Sequence, residues 1–330
     1  MNKKDLKYII GAYATAPSLG VKENKKMEAQ FYEQIQSIDY MRGLEIPFLG
    51  KEVHCFGSDF LLDLIRPDWE NVISCIAGTM DGIAKNANFG IASDDEQGRK
   101  EAVAMHKRAN QLLHKMNDRY GRQSIIAIEI ATGPTIPVNG VSASKESLLY
   151  SLEEILAWDW GGAKIVIEHC DVSREGEPIV KGFQKLDQEI EVLQSLASDH
   201  EVGILINWAR SAIEGRSSQT PVEHLRMATE HNLLSGLIFS GTSSADVQYG
   251  SWNDNHMPFA QAFDVKYFEE NSLLTQEAVQ NSLAVVDLEK LDYIGVKLLS
   301  MPLDSHDIKR RIGLNEDAIF ILNKIISSCL

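Results

Sequence analysis

Short, dense apolar runs alternate along this chain with longer stretches whose apolar residues recur every three or four positions. The most concentrated run is Ala163–Ile167, continued by Glu168, His169, Cys170 and Asp171. A β-branched run this short reads as a strand buried on both faces, here one that delivers four polar side chains at its C-terminal end. Further strands are predicted at Tyr8 to Tyr13, Gly43 to Pro47, Val72 to Ala77, Ile125 to Ile130, Val202 to Asn207, Leu234 to Ser240 and Tyr293 to Leu299. Helical spacing appears from Glu23 to Ile38, where Met27, Phe31, Ile35 and Ile38 form one stripe. It recurs at Phe60 to Ile65, Asp94 to Met116, Ser144 to Leu156, Lys185 to Ala197, Pro221 to His231 behind Thr220 as N-cap, Thr275 to Val285, and Glu316 to Ile326. Two long loops remain, Gly78 to Ser93 and Ala245 to Ala260; loops of that length in a compact domain are often functional.

Eight strands each followed by helical sequence, with no linker or composition break, predict an α/β fold: a single (β/α)8 TIM barrel spanning residues 1–330. A doubly wound open sheet is the alternative. Against it, neither GxGxxG nor GxxxxGK[ST] follows the first strand.

Charge narrows the partners. The 330 residues carry 47 acidic and 32 basic side chains, a formal net charge of −15, which repels nucleic acid and anionic membrane on average. No apolar run is long enough to span a bilayer, and Met1–Asp5 runs directly into a strand-like segment, so neither export nor a membrane span is expected. Cys55, Cys75, Cys170 and Cys329 show no paired spacing and read as reduced thiols, so a cytoplasmic protein is expected.

The candidate chemistry lies at strand ends. Glu45, Glu129 and Glu168 each follow an apolar residue near the end of a strand, and a parallel barrel brings such positions to one rim. Carboxylates meeting there bind a divalent cation or divide into an acid and a base; an ion pair with a barrel lysine is the structural alternative. Glu168 is expected in the pocket, His169 behind it against the next helix, and Cys170 buried. Lys297, inside the eighth strand, is expected to pair with one of the glutamates; a Schiff-base lysine is the sharper reading. Asn207 is a hydroxyl or weak metal binder, and Arg210 or Arg216 a carboxylate or phosphate clamp. Trp208 and Trp252 suit stacking on a sugar, with Asp254 and His256 as a general-base pair or loop caps. Trp158 and Trp160, at the opposite end, read as core or interface.

With these positions in view, the chain resembles the xylose isomerase-like (sugar isomerase/epimerase) TIM-barrel superfamily, and within it a family carrying a domain of unknown function. The resemblance is carried by Gly11-Ala12-Tyr13-Ala14, Asn88 to Asp95, Trp158-Asp159-Trp160, Glu168 to Asp171, Asn207 to Ser211 and Trp252 to His256. It implies a cytoplasmic carbohydrate-metabolising protein with a pocket for a polyhydroxylated small molecule, and pairing into a homodimer as is common there. In the epimerase branch a divalent metal (Mn, Mg or Zn) is held by glutamate, aspartate, histidine and glutamate from the fifth to eighth strands. Only Glu168 matches; Asn207, Ser240 and Lys297 stand at the other three places. The expected activity is therefore isomerisation or epimerisation of a sugar or sugar acid by proton transfer next to a carbonyl. Glu168, Glu129, His256 and Lys297 would be catalytic, and Glu45, Asn207, Trp208, Arg210, Trp252 and Asp254 substrate-binding. The alternative is a sugar-binding barrel without turnover.

Overall fold

Buried parallel strands need crossover helices, and the chain supplies one or more between each pair. The computed structural model describes residues 6–22 and 24–328; Met1–Asp5, Glu23, Cys329 and Leu330 lie outside the described residues. The order is β1 (Tyr8–Ile10), α1 (Lys25–Ile35), β2 (Met41–Pro47), α2 (Ser58–Leu62), β3 (Asn71–Ser74), α3 (Ile76–Lys85), α4 (Glu96–Tyr120), β4 (Ile125–Ile130), α5 (Lys145–Leu156) and β5 (Lys164–His169). There follow α6 (Leu186–Leu196), β6 (Val202–Asn207), α7 (Trp208–Gly215), α8 (Thr220–Glu230), β7 (Leu234–Phe239), α9 (Gln276–Leu283), β8 (Tyr293–Val296) and α10 (Ile308–Ser328). The eight strands are parallel and close in sequential order, with β8 pairing back onto β1. An open sheet is thereby excluded.

Local chemistry sets several element starts. Asn24, Asp95, Ser144 and Thr275 each accept a hydrogen bond from the backbone N–H three residues on, which satisfies a donor otherwise orphaned at the helix start. Thr220, expected as a cap, is instead the first residue of α8, with Pro221 in the first turn.

Several expectations are corrected. The segment 78–93 is not all loop, because α3 occupies its start. Gly78 and Gly82 make that stretch read as non-helical, since glycine is the poorest helix former after proline. Gly78 serves packing: a Cβ there would lie 2.8 Å from Gly50 N and 2.9 Å from the Phe48 carbonyl oxygen. Strands β1 and β8 stop at Ile10 and Val296, short of Tyr13 and Leu299; a 3-10 turn, Ala12–Ala14, follows β1. Strand β6 passes directly into α7, a helix not anticipated, and α10 begins eight positions before Glu316.

Two apolar layers sandwich the strand wall. Ile9, Val72, Ala127, Val166, Leu205, Ile238 and Tyr293 fill the barrel interior. The opposite strand faces, including Ile128, Ile167, Ile206 and Leu237, pack against the helices. Trp160 is buried and Trp158 packs against that outer core, beneath Lys107.

Candidate active site

Side chains alternate across a strand, so a residue two positions after an interior one also faces inward. Ala127 thus leads to Glu129, Val166 to Glu168, Leu205 to Asn207, Ile238 to Ser240, and Val72 to Ser74. The apolar interior is capped at its C-terminal end by a polar layer, joined by Glu45 from β2. Carboxylate oxygens of Glu45, Glu129 and Glu168 lie within 4.8 Å of one another, and all three side chains are buried.

Three cations from this chain enter the same space. Lys297 Nζ is 2.5 Å from Glu45 Oε1 and 3.7 Å from Glu168 Oε1. Arg210, one turn into α7, places a guanidinium nitrogen 2.5 Å from Glu168 Oε1 and its Nε 3.2 Å from Asp254 Oδ2. Lys181 Nζ lies 3.2 Å from the same Asp254 oxygen. Glu168 also accepts from Asn207 Nδ2 (3.2 Å) and Ser74 Oγ (3.4 Å). Tyr13 donates to Glu45 Oε1 (3.2 Å) and Tyr293 to Glu129 Oε1 (3.0 Å). The second oxygens of Glu45 and Glu129 have no partner.

These surroundings drive the carboxyls apart. Burial raises Glu129 well above the usual carboxylate value, and the charges of Glu45 and Glu168 raise it further, favouring its protonated form. Burial also pushes Glu168 upward, but Arg210, Lys297 and the Asn207 hydrogen bond outweigh it and hold Glu168 below its usual value. Glu45 is raised by burial against the pull of Lys297. The carboxyl of Asp254 is held far down: burial is overcome by the charges of Arg210 and Lys181. His256 is kept neutral, with burial bringing its pKa to about 3 against the opposing charge of Asp254.

The segment after β7 covers this centre. Gly241 and Met257 exchange backbone hydrogen bonds of 2.7 and 2.9 Å, Trp252 N–H donates to Ser243, and Leu299 N–H donates to His256. That fold-back delivers Asp254 and His256, whose Oδ1 and Nδ1 are 3.3 Å apart and otherwise unpartnered.

Glu45, Glu129, Glu168, Asn207, Arg210, Asp254, His256 and Lys297 are therefore brought together. The Lys297–Glu45 pair matches the expected lysine–glutamate pairing, although Lys297 lies just beyond β8. His169 faces outward, its Nδ1 2.8 Å from Glu189 on α6. The two tryptophans do not form a stacking platform. Trp208 is fully buried on α7 and donates its indole N–H to Ser282 on α9, so the sugar-stacking expectation for it is overturned. Trp252 carries the Arg216 guanidinium 5.5 Å over its ring. Arg216 is not an anion clamp; it donates to the Trp252 carbonyl and to Glu177. Sequence reasoning missed Tyr13, Ser74, Lys181 and Tyr293. The alternation that marks Glu129 also marks Ser74 and Tyr293, which shares the parity of Lys297. No local pattern marks Lys181.

The metal implied for Glu168 does not fit the residues present. Asn207 turns its amide donor toward Glu168 while its oxygen accepts from Ser240, and Lys297 places an ammonium among the carboxylates. The four-ligand set of the epimerase branch is not assembled, and the positive charge it would provide comes from side chains.

Residues 9–314 match the model of a family described as a domain of unknown function, DUF4862. The chain belongs to that family. It is also 36% identical over 322 residues to the uncharacterized protein STM3670 of Salmonella typhimurium strain LT2, covering 98% of each chain. Solved structures similar in fold include an IolI protein with a bound zinc atom (TM-score 0.58, 14% identity, 98% of this chain and 99% of that one). D-psicose 3-epimerase with D-tagatose from Clostridium cellulolyticum H10 is similar at TM-score 0.57 (13% identity, 97% and 99% covered). A xylose isomerase domain protein from Alicyclobacillus acidocaldarius gives 0.52 (12% identity, 98% and 99% covered). The architecture of this DUF4862 member is thus the xylose isomerase-like TIM barrel. No described helix is long and apolar enough to cross a membrane.

Proposed function

We propose that this DUF4862 chain is a sugar or sugar-acid isomerase or epimerase that moves a proton next to a carbonyl without the epimerase-branch metal. The observation that carries the reading is the meeting in one buried cradle of Glu129, whose pKa is pushed upward, and Glu168, whose pKa is held down by Arg210 and Lys297. Environments that push two carboxyls apart assign an acid and a base. Glu168 takes the proton from the carbon beside the carbonyl, the resulting enolate oxygen faces Lys297 and Arg210, and Glu129 returns a proton. Lys297 stays charged because Glu168 and Glu45 outweigh its burial, which favours charge stabilisation over Schiff-base chemistry. The sugar-processing names of fold neighbours support a carbohydrate ligand.

The test is a screen of aldoses, ketoses and uronic acids in deuterated water. One substrate is expected to gain solvent deuterium at the carbon beside its carbonyl, with Glu129→Gln and Glu168→Gln each slowing incorporation by about 100-fold or more. Absence of incorporation from every substrate overturns the proposal. The ion pairs that already engage Glu168 favour one second reading, a sugar-binding barrel without turnover. A ligand that raises the thermal midpoint with no deuterium uptake would select it.

A further inference from the structure

The outer face of β5 carries a second buried polar cluster that the chemistry at the barrel mouth does not use. His169, the last residue of β5, points its Nε2 at Glu214 Oε2 on α7, 3.2 Å away. His224 on α8 points its Nε2 at the other oxygen of the same carboxylate, 3.6 Å away. The two imidazoles meet edge to face with centroids 4.9 Å apart. Each ring is oriented from behind: Glu189 Oε2 lies 2.8 Å from His169 Nδ1, and Ser211 Oγ lies 2.9 Å from His224 Nδ1. Glu189 is itself fixed by Thr132, which donates to its Oε1 at 2.7 Å. The Val172 backbone N–H, donating at 3.0 Å, holds the Glu214 carboxylate.

We propose that His169, Glu214 and His224 form a binding site for a divalent transition-metal ion of the zinc class, outside the barrel wall. Two imidazole nitrogens and one carboxylate are a donor set zinc takes readily, and bonds of about 2.0–2.1 Å at tetrahedral angles put donors about 3.3 Å apart. The 3.2 Å from His169 Nε2 to Glu214 Oε2 matches that edge; His224 Nε2 lies 3.6 Å from the other oxygen, and one ligand atom from each of the three residues falls within 4.8 Å of the other two. The partners behind both Nδ1 atoms are the outer-shell contacts that fix ligating histidines. Charge distinguishes this cluster from the barrel mouth. Among the described residues no lysine or arginine pairs with Glu189 or Glu214, whereas Glu45 and Glu168 have Lys297 and Arg210. Glu214 is 21% exposed, which leaves an entry path and a fourth position for water. The entering ion displaces to solvent the proton between His169 and Glu214. Bound there, it ties α7 and α8 to β5.

Chelator-treated protein titrated with Co²⁺ tests the site, since a tetrahedral site gives an intense visible d–d absorption. The wild type and Glu168→Gln are expected to take up one equivalent, with zinc raising the thermal midpoint of both. His224→Gln and Glu214→Gln are expected to bind at least ~100-fold more weakly, and Ser211→Ala about 10-fold more weakly. No uptake by the wild type, uptake by His224→Gln equal to the wild type, or loss in Glu168→Gln overturns the proposal. Should the ligand variants not fold, X-ray absorption of the zinc-loaded wild type decides: two imidazoles in the shell support it, and a shell without imidazole overturns it.

Discussion

Lys297 carries its charge with no solvent contact, and its partners settle what a substitution does. Removing one member of a buried ion pair strands the other, at a cost of about 3–5 kcal/mol. Lys297→Met is therefore expected to lower the unfolding free energy from urea titration by that amount, and the double change with Glu45→Gln to recover most of it. A double variant no more stable than the single one would contradict the pairing. His106 on α4 illustrates the reverse sign. Burial brings its pKa down to about 4 from the ordinary 6.5, and its Nε2 has no partner. The unfolded chain takes up a proton that the folded chain refuses, so this contribution is full above pH 6.5 and is lost as pH falls toward 4. The loss reaches about 2 kcal/mol by pH 5. Replacing His106 by Gln is expected to flatten stability between pH 7 and pH 5 by that amount, read from urea midpoints at the two values.

Among elements, α3 was the one most obscured, and its glycines explain why. Propensity alone says that Gly78→Ala should stabilise the helix by about 1 kcal/mol. Crowding says otherwise: the new methyl would meet the Gly50 nitrogen and Phe48 carbonyl at under 3 Å, and backbone does not yield as a flexible side chain does. Overpacking of this kind costs about 1–3 kcal/mol, so net destabilisation is expected in thermal unfolding. The missed helix α7 is a similar case. Its first residue directly follows β6, so no polar linker marks the boundary, yet that turn carries Arg210 into the barrel and Glu214 to the outer face.

For the whole molecule, the closed barrel gives every strand two partners, whereas the segment over its mouth is held by a few backbone bonds, by Arg216 and by the pairing of Asp254 with Arg210 and Lys181. Residues 247–256 are accordingly expected to exchange amide hydrogens faster than β5, and faster still in Arg216→Ala. Protection equal to that of β5 would show that the cover does not open independently. Opening bears on the proposed reaction because Glu45, Glu129, Glu168, Lys297 and Arg210 are all at most 2% exposed, so the proposed substrate would reach them only when the cover lifts.

Much of this was legible in the chain. Eight β-branched runs separated by helical spacing lead to a barrel because parallel strands buried on both faces have few other ways to close. Strand parity then aims Glu129 and Glu168 inward and turns His169 out. What the chain alone left open were the distances between strands: which glutamate Lys297 meets, that Arg210 pairs with Glu168, and that Trp208 packs away from the mouth. Periodicity along one strand says which way a side chain points, but not what stands opposite it. Only closure of the barrel brings residues as far apart in sequence as Glu45 and Lys297 within 2.5 Å, and contact at that range decides charge state and chemistry.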